Sequence, residues 1–165
     1  MSHRMLVVAL MLAASAAGGQ PVGPGGRAPE IDLPLLTGDR VQLSKLRGHP
    51  VVVSFWGTWC PPCREEFPEL VKVQAAHGSA GLFVLAVNGR DQETSTKNVQ
   101  KFVDNYAAPF RVALDEKGRA RRAFLIQGLP TTVFIDSGGV VRRVHRGAIT
   151  RAELDSGVAT ILTTK

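Results

Sequence analysis

The chain has 165 residues, 44% hydrophobic and 21% charged, which fits one soluble domain and excludes a disordered or collagen-like chain. Its net charge is +6, from 20 Lys+Arg against 14 Asp+Glu, an excess that suits an anionic surface or partner without selecting nucleic acid. Two cysteines exclude a disulfide-dense miniprotein and a four-cysteine zinc site, and no apolar run reaches the roughly 18 residues of a membrane-spanning helix, so a polytopic membrane protein is excluded.

Residues 1–17 read as an export signal: Arg4, then the apolar stretch Met5–Ala14, then the small residues Ser15, Ala16 and Ala17. As a helix, Met5–Ala17 would be about 20 Å long, short of a bilayer core of about 30 Å. Cleavage is expected after Ala16 or Ala17, with an uncleaved anchor as the alternative. Residues 18–29 hold five Gly and three Pro and read as a flexible linker, which leaves 30–165 as the folded domain.

Within that domain, Ile31–Leu33 and Arg40–Leu43 flank the turn signal Thr37-Gly38-Asp39 and predict a small hairpin. Val51–Trp56 and Leu82–Val87 are almost continuously apolar, as central strands covered on both faces should be. Between them Cys63, Phe67, Leu70 and Val71 fall at helical spacing, so strand, helix and strand form a parallel, right-handed unit. Val99, Phe102, Val103 and Tyr106 mark a second helix, and Arg111–Leu114 a short strand. Thr132–Ile135 and Val140–Val144 flank Asp136-Ser137-Gly138-Gly139 as a second hairpin. Thr150 and Glu153 form a capping box for a last helix carrying Leu154, Val158, Ile161 and Leu162. The sum is an α/β domain, a mixed sheet with helices on both faces.

Both cysteines lie in Trp59-Cys60-Pro61-Pro62-Cys63, after a predicted central strand and at a helix start. Free N–H groups and the positive end of the helix dipole favour a thiolate there. Cys60 precedes the helix body and is expected to be the exposed, attacking thiol; Cys63, in the first turn, should be more buried and resolve the mixed disulfide. Other uses of the pair fit less well. A metal site lacks a second Cys or His pair at ligand spacing. Haem attachment needs a His where Arg64 stands. A purely structural bridge would close so small a loop that it restricts the unfolded chain little.

The segment Val51–Pro68 resembles the active-site segment of the thioredoxin superfamily, and more closely that of the TlpA/ResA/CcmG-like group of exported thiol-disulfide oxidoreductases. Ala28–Pro34 and Leu43–Gly48 resemble that group's amino-terminal hairpin, Gly128-Leu129-Pro130-Thr131-Thr132 its cis-proline loop, and Arg90–Asp115 its central αβ insertion. The resemblance spans Ala28 to the last helix. It implies a thioredoxin fold in which Cys60 is the nucleophilic and Cys63 the resolving cysteine, Pro130 faces their disulfide, and Pro68 kinks the active-site helix. A substrate would lie beside Cys60 against Trp59 and the backbone of Leu129. Thioredoxins carry a buried Asp where this chain has Ser54; the resemblance implies that Glu66 does its proton-transfer work instead. Helix geometry agrees, since Glu66 is three residues from Cys63 on the inward side and Glu65 is turned away. A partly buried carboxyl without a cation partner should have a raised pKa.

The resemblance further implies a periplasmic reductant of protein disulfides, for example in cytochrome c maturation, with a membrane electron donor of the DsbD/CcdA kind. No cofactor or metal, no nucleic acid and a monomer are expected. A disulfide oxidase is the alternative. A thiol peroxidase fits less well, because Gly57 and Val53 stand where its Thr and Pro belong. A copper chaperone would want a longer cysteine spacing and a distal His, and His145 is not obviously placed for it. Arg142, Arg143 and Arg146, and Arg119, Arg121 and Arg122, read as solvated basic faces, with an anionic membrane surface or an acidic partner as the second choice.

Overall fold

The computed structural model describes residues 22–164; the expected export signal lies outside the described residues. A two-stranded antiparallel sheet comes first, β1 (Asp32–Pro34) with β2 (Arg40–Gln42), and Leu33 opposite Val41 on its buried side. Its turn needs Gly38, at φ 97°, where a side chain would be strained.

The main sheet has the order β5-β4-β3-β6-β7. β3 (Val51–Trp56), β4 (Phe83–Asn88) and β5 (Arg111–Leu114) run parallel, while β6 (Thr131–Ile135) is antiparallel to β3 and β7 (Val141–Arg146) to β6. Every residue of β3 and β6 is buried. Both faces of these central strands are covered, hence their uninterrupted apolar runs.

The helices divide unequally between the two faces. α1 (Pro61–His77), α2 (Thr96–Asn105) and α4 (Arg151–Thr163) cover one: Val52, Val84 and Phe134 pack with Leu70, Leu154, Val158 and Ile161, and Trp56 and Ala86 with Phe67 and Val99. The other face, with Val51, Val53 and Phe55, is covered by the small hairpin, by the 3-10 turn Leu43–Leu46 and by α3 (Arg119–Ala123). The expected central insertion is α2 and β5, and β5 forms an edge of the sheet.

One expectation needs correction. The described part of the 18–29 linker is not free: Gly25 and Ala28 donate N–H groups to Val141 and Gly139, and Gly26 accepts from Val141. Glycine and proline suit this path because it adds backbone, not side chains, to the edge strand β7. The basic cluster lies in α3 with Arg119 and Arg122 exposed, the solvated face expected, while Arg121 is half-buried. The carboxylate of Asp115 accepts from the N–H groups of Ala120 and Arg121, Arg121 pairs with Asp91 at 2.6 Å, and Ala120 and Phe124 are the buried anchors.

Candidate active site

β3 delivers the chain to the carboxyl end of the sheet, where Gly57, Thr58 and Trp59 make the turn into α1. Gly57 is required by close approach: a Cβ there would lie 2.8 Å from Nε1 of Trp59. Cys60 is the N-cap of α1 and Pro61 and Pro62 begin the helix. Proline suits these first positions because its missing N–H would find no helical partner anyway. Cys60 and Cys63 form a disulfide, and the Cys60 sulfur accepts the N–H of Cys63 at 3.3 Å.

Cys63 is fully buried, as expected. Cys60, expected to be exposed, is only 3% accessible in this oxidised state. The disulfide ties its sulfur to the buried Cys63, within a cluster that holds Trp56 and Phe67. Trp59, by contrast, is half exposed, and Trp56 is core, its ring packed at a tilt against Phe67 and Phe102.

The Leu129–Pro130 peptide bond is cis. Pro130 is buried, and Leu129 packs against the cluster containing both cysteines. Trp59 and Leu129 line a common groove of about 160 Å³, together with Gln92, Arg121 and Gln127. The fold thus brings together three segments that are remote in sequence.

Glu66 is 3% accessible, whereas Glu65 is exposed. One carboxylate oxygen of Glu66 accepts the Ser54 hydroxyl at 3.1 Å and the other the Ile149 N–H at 3.3 Å. Burial pushes this carboxyl up from 4.5 to about 7, more than the two hydrogen bonds lower it. The nearby Lys72 of the same helix pairs with Glu69. A carboxyl poised near neutrality on the helix that carries Cys63 can accept or release a proton as the disulfide opens and closes.

His145 is engaged elsewhere: Nε2 lies 3.0 Å from the Ala148 carbonyl oxygen and Nδ1 3.9 Å from Glu153. Among the other basic residues, Arg142 pairs with Asp136 and Arg143 donates to the Glu153 carbonyl.

Two features of the site have no local sequence signal. Ile149, an apolar residue before the last helix, contributes only its backbone N–H. Glu93 sits in the polar run Asp91–Thr96, yet its carboxylate accepts the Thr58 N–H at 2.6 Å, the Thr58 hydroxyl at 2.5 Å and the Asn88 side-chain amide at 2.9 Å.

Comparison with known proteins agrees with this geometry. Residues 24–144 match the AhpC/TSA family. The chain is 36% identical over 131 residues to the thioredoxin-like protein YneN of Bacillus subtilis (strain 168), covering 79% of this chain and 76% of that protein. It is 35% identical over 136 residues to the thiol-disulfide oxidoreductase ResA of the same organism, covering 82% and 74%. The crystal structure of a thiol:disulfide interchange protein of the thioredoxin family from Chlorobium tepidum TLS superposes with a TM-score of 0.74 at 28% identity, over 88% of this chain and 99% of that one. By fold, motif and relatives, then, the chain belongs to the AhpC/TSA family and is a thioredoxin-like thiol-disulfide oxidoreductase.

Proposed function

We propose that this oxidoreductase is an exported reductant of protein disulfides, acting in the periplasm, with cytochrome c maturation as its setting and a membrane donor of the DsbD/CcdA kind returning electrons to it. In the reduced protein the Cys60 thiolate attacks a substrate disulfide and forms a mixed disulfide. Cys63 then displaces the substrate sulfur and closes the Cys60–Cys63 bridge, while Glu66 takes up the proton that Cys63 gives off. Two electrons pass to the substrate, which leaves as a dithiol. Trp59 and Leu129 flank the groove in which the substrate strand lies, and Leu129 is joined to the buried Pro130 by the cis bond.

The observation that carries the direction of electron flow is the poverty of donors at Cys60. Among the described residues its sulfur receives one backbone N–H, from Cys63, and neither Pro61 nor Pro62 can give another. Strong oxidants of this chemistry owe their potential to a stabilised reduced form, and few donors mean little stabilisation of the thiolate. The disulfide should therefore sit nearer thioredoxin, about −270 mV, than DsbA, about −120 mV. Equilibration with glutathione buffers, read by tryptophan fluorescence, tests this; a potential above about −160 mV would make the protein an oxidase.

A further inference from the structure

Glu93 opens the αβ insertion between β4 and β6. We infer that it is a positioning residue: its carboxylate clamps the turn that presents Trp59 and Cys60, and so gives the insertion a part in thiol exchange. The inference rests on the reading of Cys60 as the attacking sulfur.

The geometry is specific. Oε1 of Glu93 accepts two donors, the Thr58 N–H at 2.6 Å and the Asn88 side-chain amide at 2.9 Å, and Oε2 accepts the Thr58 hydroxyl at 2.5 Å. Asn88 is the last residue of β4, fully buried and paired in register with Trp56, the last residue of β3. One carboxylate thus joins the exits of two adjacent strands, and the joined segment leads directly to the disulfide. Three hydrogen bonds to two oxygens of one side chain fix the turn by geometry.

Glu93 is itself held. Arg90 donates to the Glu93 carbonyl at 3.1 Å and to the Thr96 hydroxyl at 2.7 Å, which anchors the loop to the first residue of α2. The neighbouring Gln92 lines the groove with Trp59 and Leu129. The path runs from α2 through Arg90 and Glu93 to Thr58, one residue before Trp59 and two before Cys60. Nothing else bonds the Thr58 N–H or hydroxyl among the described residues. Without Glu93 the described residues leave the turn its own Cys60 N–H to Gly57 bond, the Gly89 N–H to Trp56 carbonyl bond at its start, and the packing of Trp59 over Gly57.

Two substitutions separate clamp from charge. Glu93→Ala removes all three bonds. Glu93→Gln keeps the carbonyl oxygen for Thr58 N–H and Asn88, and its amide can donate to the Thr58 hydroxyl, so only the charge is lost. The readouts are the rate constant of the reduced protein with a disulfide-bonded peptide, acrylamide quenching of tryptophan, and the melting temperature. Quenching reports Trp59, because Trp56 is fully buried. Glu93→Ala should react about tenfold or more slowly, since misplaced reacting groups lose rate steeply, and Trp59 should be quenched more readily. Glu93→Gln should stay within about threefold of the wild type in rate, with unchanged quenching. A lowered melting temperature in Glu93→Ala, with rate and quenching unchanged, would make Glu93 merely structural and overturn the inference. Equal losses in both variants would overturn it too, by assigning the effect to charge. A wild type that exchanges no disulfide through Cys60 overturns the underlying reading; an active wild type with a fully active Glu93→Ala overturns the clamp alone.

Discussion

Cys60 caps α1 and its sulfur accepts one N–H, whereas Cys63 lies inside the helix with no exposed surface. Even with the bridge closed a little of Cys60 is accessible and none of Cys63, so the first sulfur is the one a partner meets. Cys63→Ser should therefore accumulate mixed disulfides with its substrates through Cys60, and Cys60→Ser should not; trapping by Cys60→Ser, seen after alkylation on non-reducing gels, would reverse the assignment. Glu66 invites a second test. In Glu66→Gln the amide oxygen can still accept the Ile149 N–H while the amide donates to Ser54, so shape survives and titration does not. The exchange rate of the wild type should show an inflection near pH 7 that the variant lacks. Stability follows with a definite sign. Folding raises this pKa from 4.5 to about 7, so as pH climbs the unfolded chain ionises first. The folded state loses stability between those values, by roughly 3 kcal/mol in all, and no further above them. Urea titrations of the oxidised protein at pH 5 and pH 8 should show that loss in the wild type and not in Glu66→Gln.

At the scale of elements, α1 joins two tasks at its amino terminus. Pro61 and Pro62 start the helix in a favourable conformation and at the same time withhold two N–H groups from the Cys60 sulfur. Pro62→His restores one donor and adds an imidazole beside the thiolate. One added charge-assisted hydrogen bond should raise the reduction potential by about 30 mV or more, as measured against glutathione. An unchanged potential would show that donor number does not govern this site. The start of α4 is equally specific: the Thr150–Glu153 capping box ends the loop whose Ile149 N–H reaches Glu66, so the helix start also positions the carboxyl's partner.

At the scale of the whole molecule, layers constrain one another where no local rule would say so. Gly157 lies within α4, where alanine ordinarily stabilises a helix by about 1 kcal/mol. Here a Cβ would collide with the ring of Phe134 on β6, a fully buried residue of the sheet. Gly157→Ala should therefore destabilise the protein by about 1–3 kcal/mol, the range for overpacking a core, rather than stabilise it. Thermal unfolding reads the sign directly. The same layering separates two tryptophans that are three residues apart: Trp56 closes the aromatic cluster under α1 and α2, while Trp59 faces the groove.

The strands β3 to β7, the three long helices and the hairpin were legible in the sequence, because each buries a face and burial leaves a period in the pattern of apolar residues. The short helix α3 was not; five residues rich in arginine carry no such period, and its start depends on Asp115 and its anchor on the packing of Ala120 and Phe124. For the site, the cysteine pair, its helix-start position and the inward side of Glu66 follow from spacing within one segment. Ser54 was visible as a departure from thioredoxins but not as a partner of Glu66. The burial of Cys60, the Ile149 N–H at Glu66 and the Glu93 carboxylate at Thr58 depend on contacts between segments as far as 83 residues apart. A one-dimensional pattern records which residues need burial; which buried groups meet is decided only when the sheet brings the ends of its strands together.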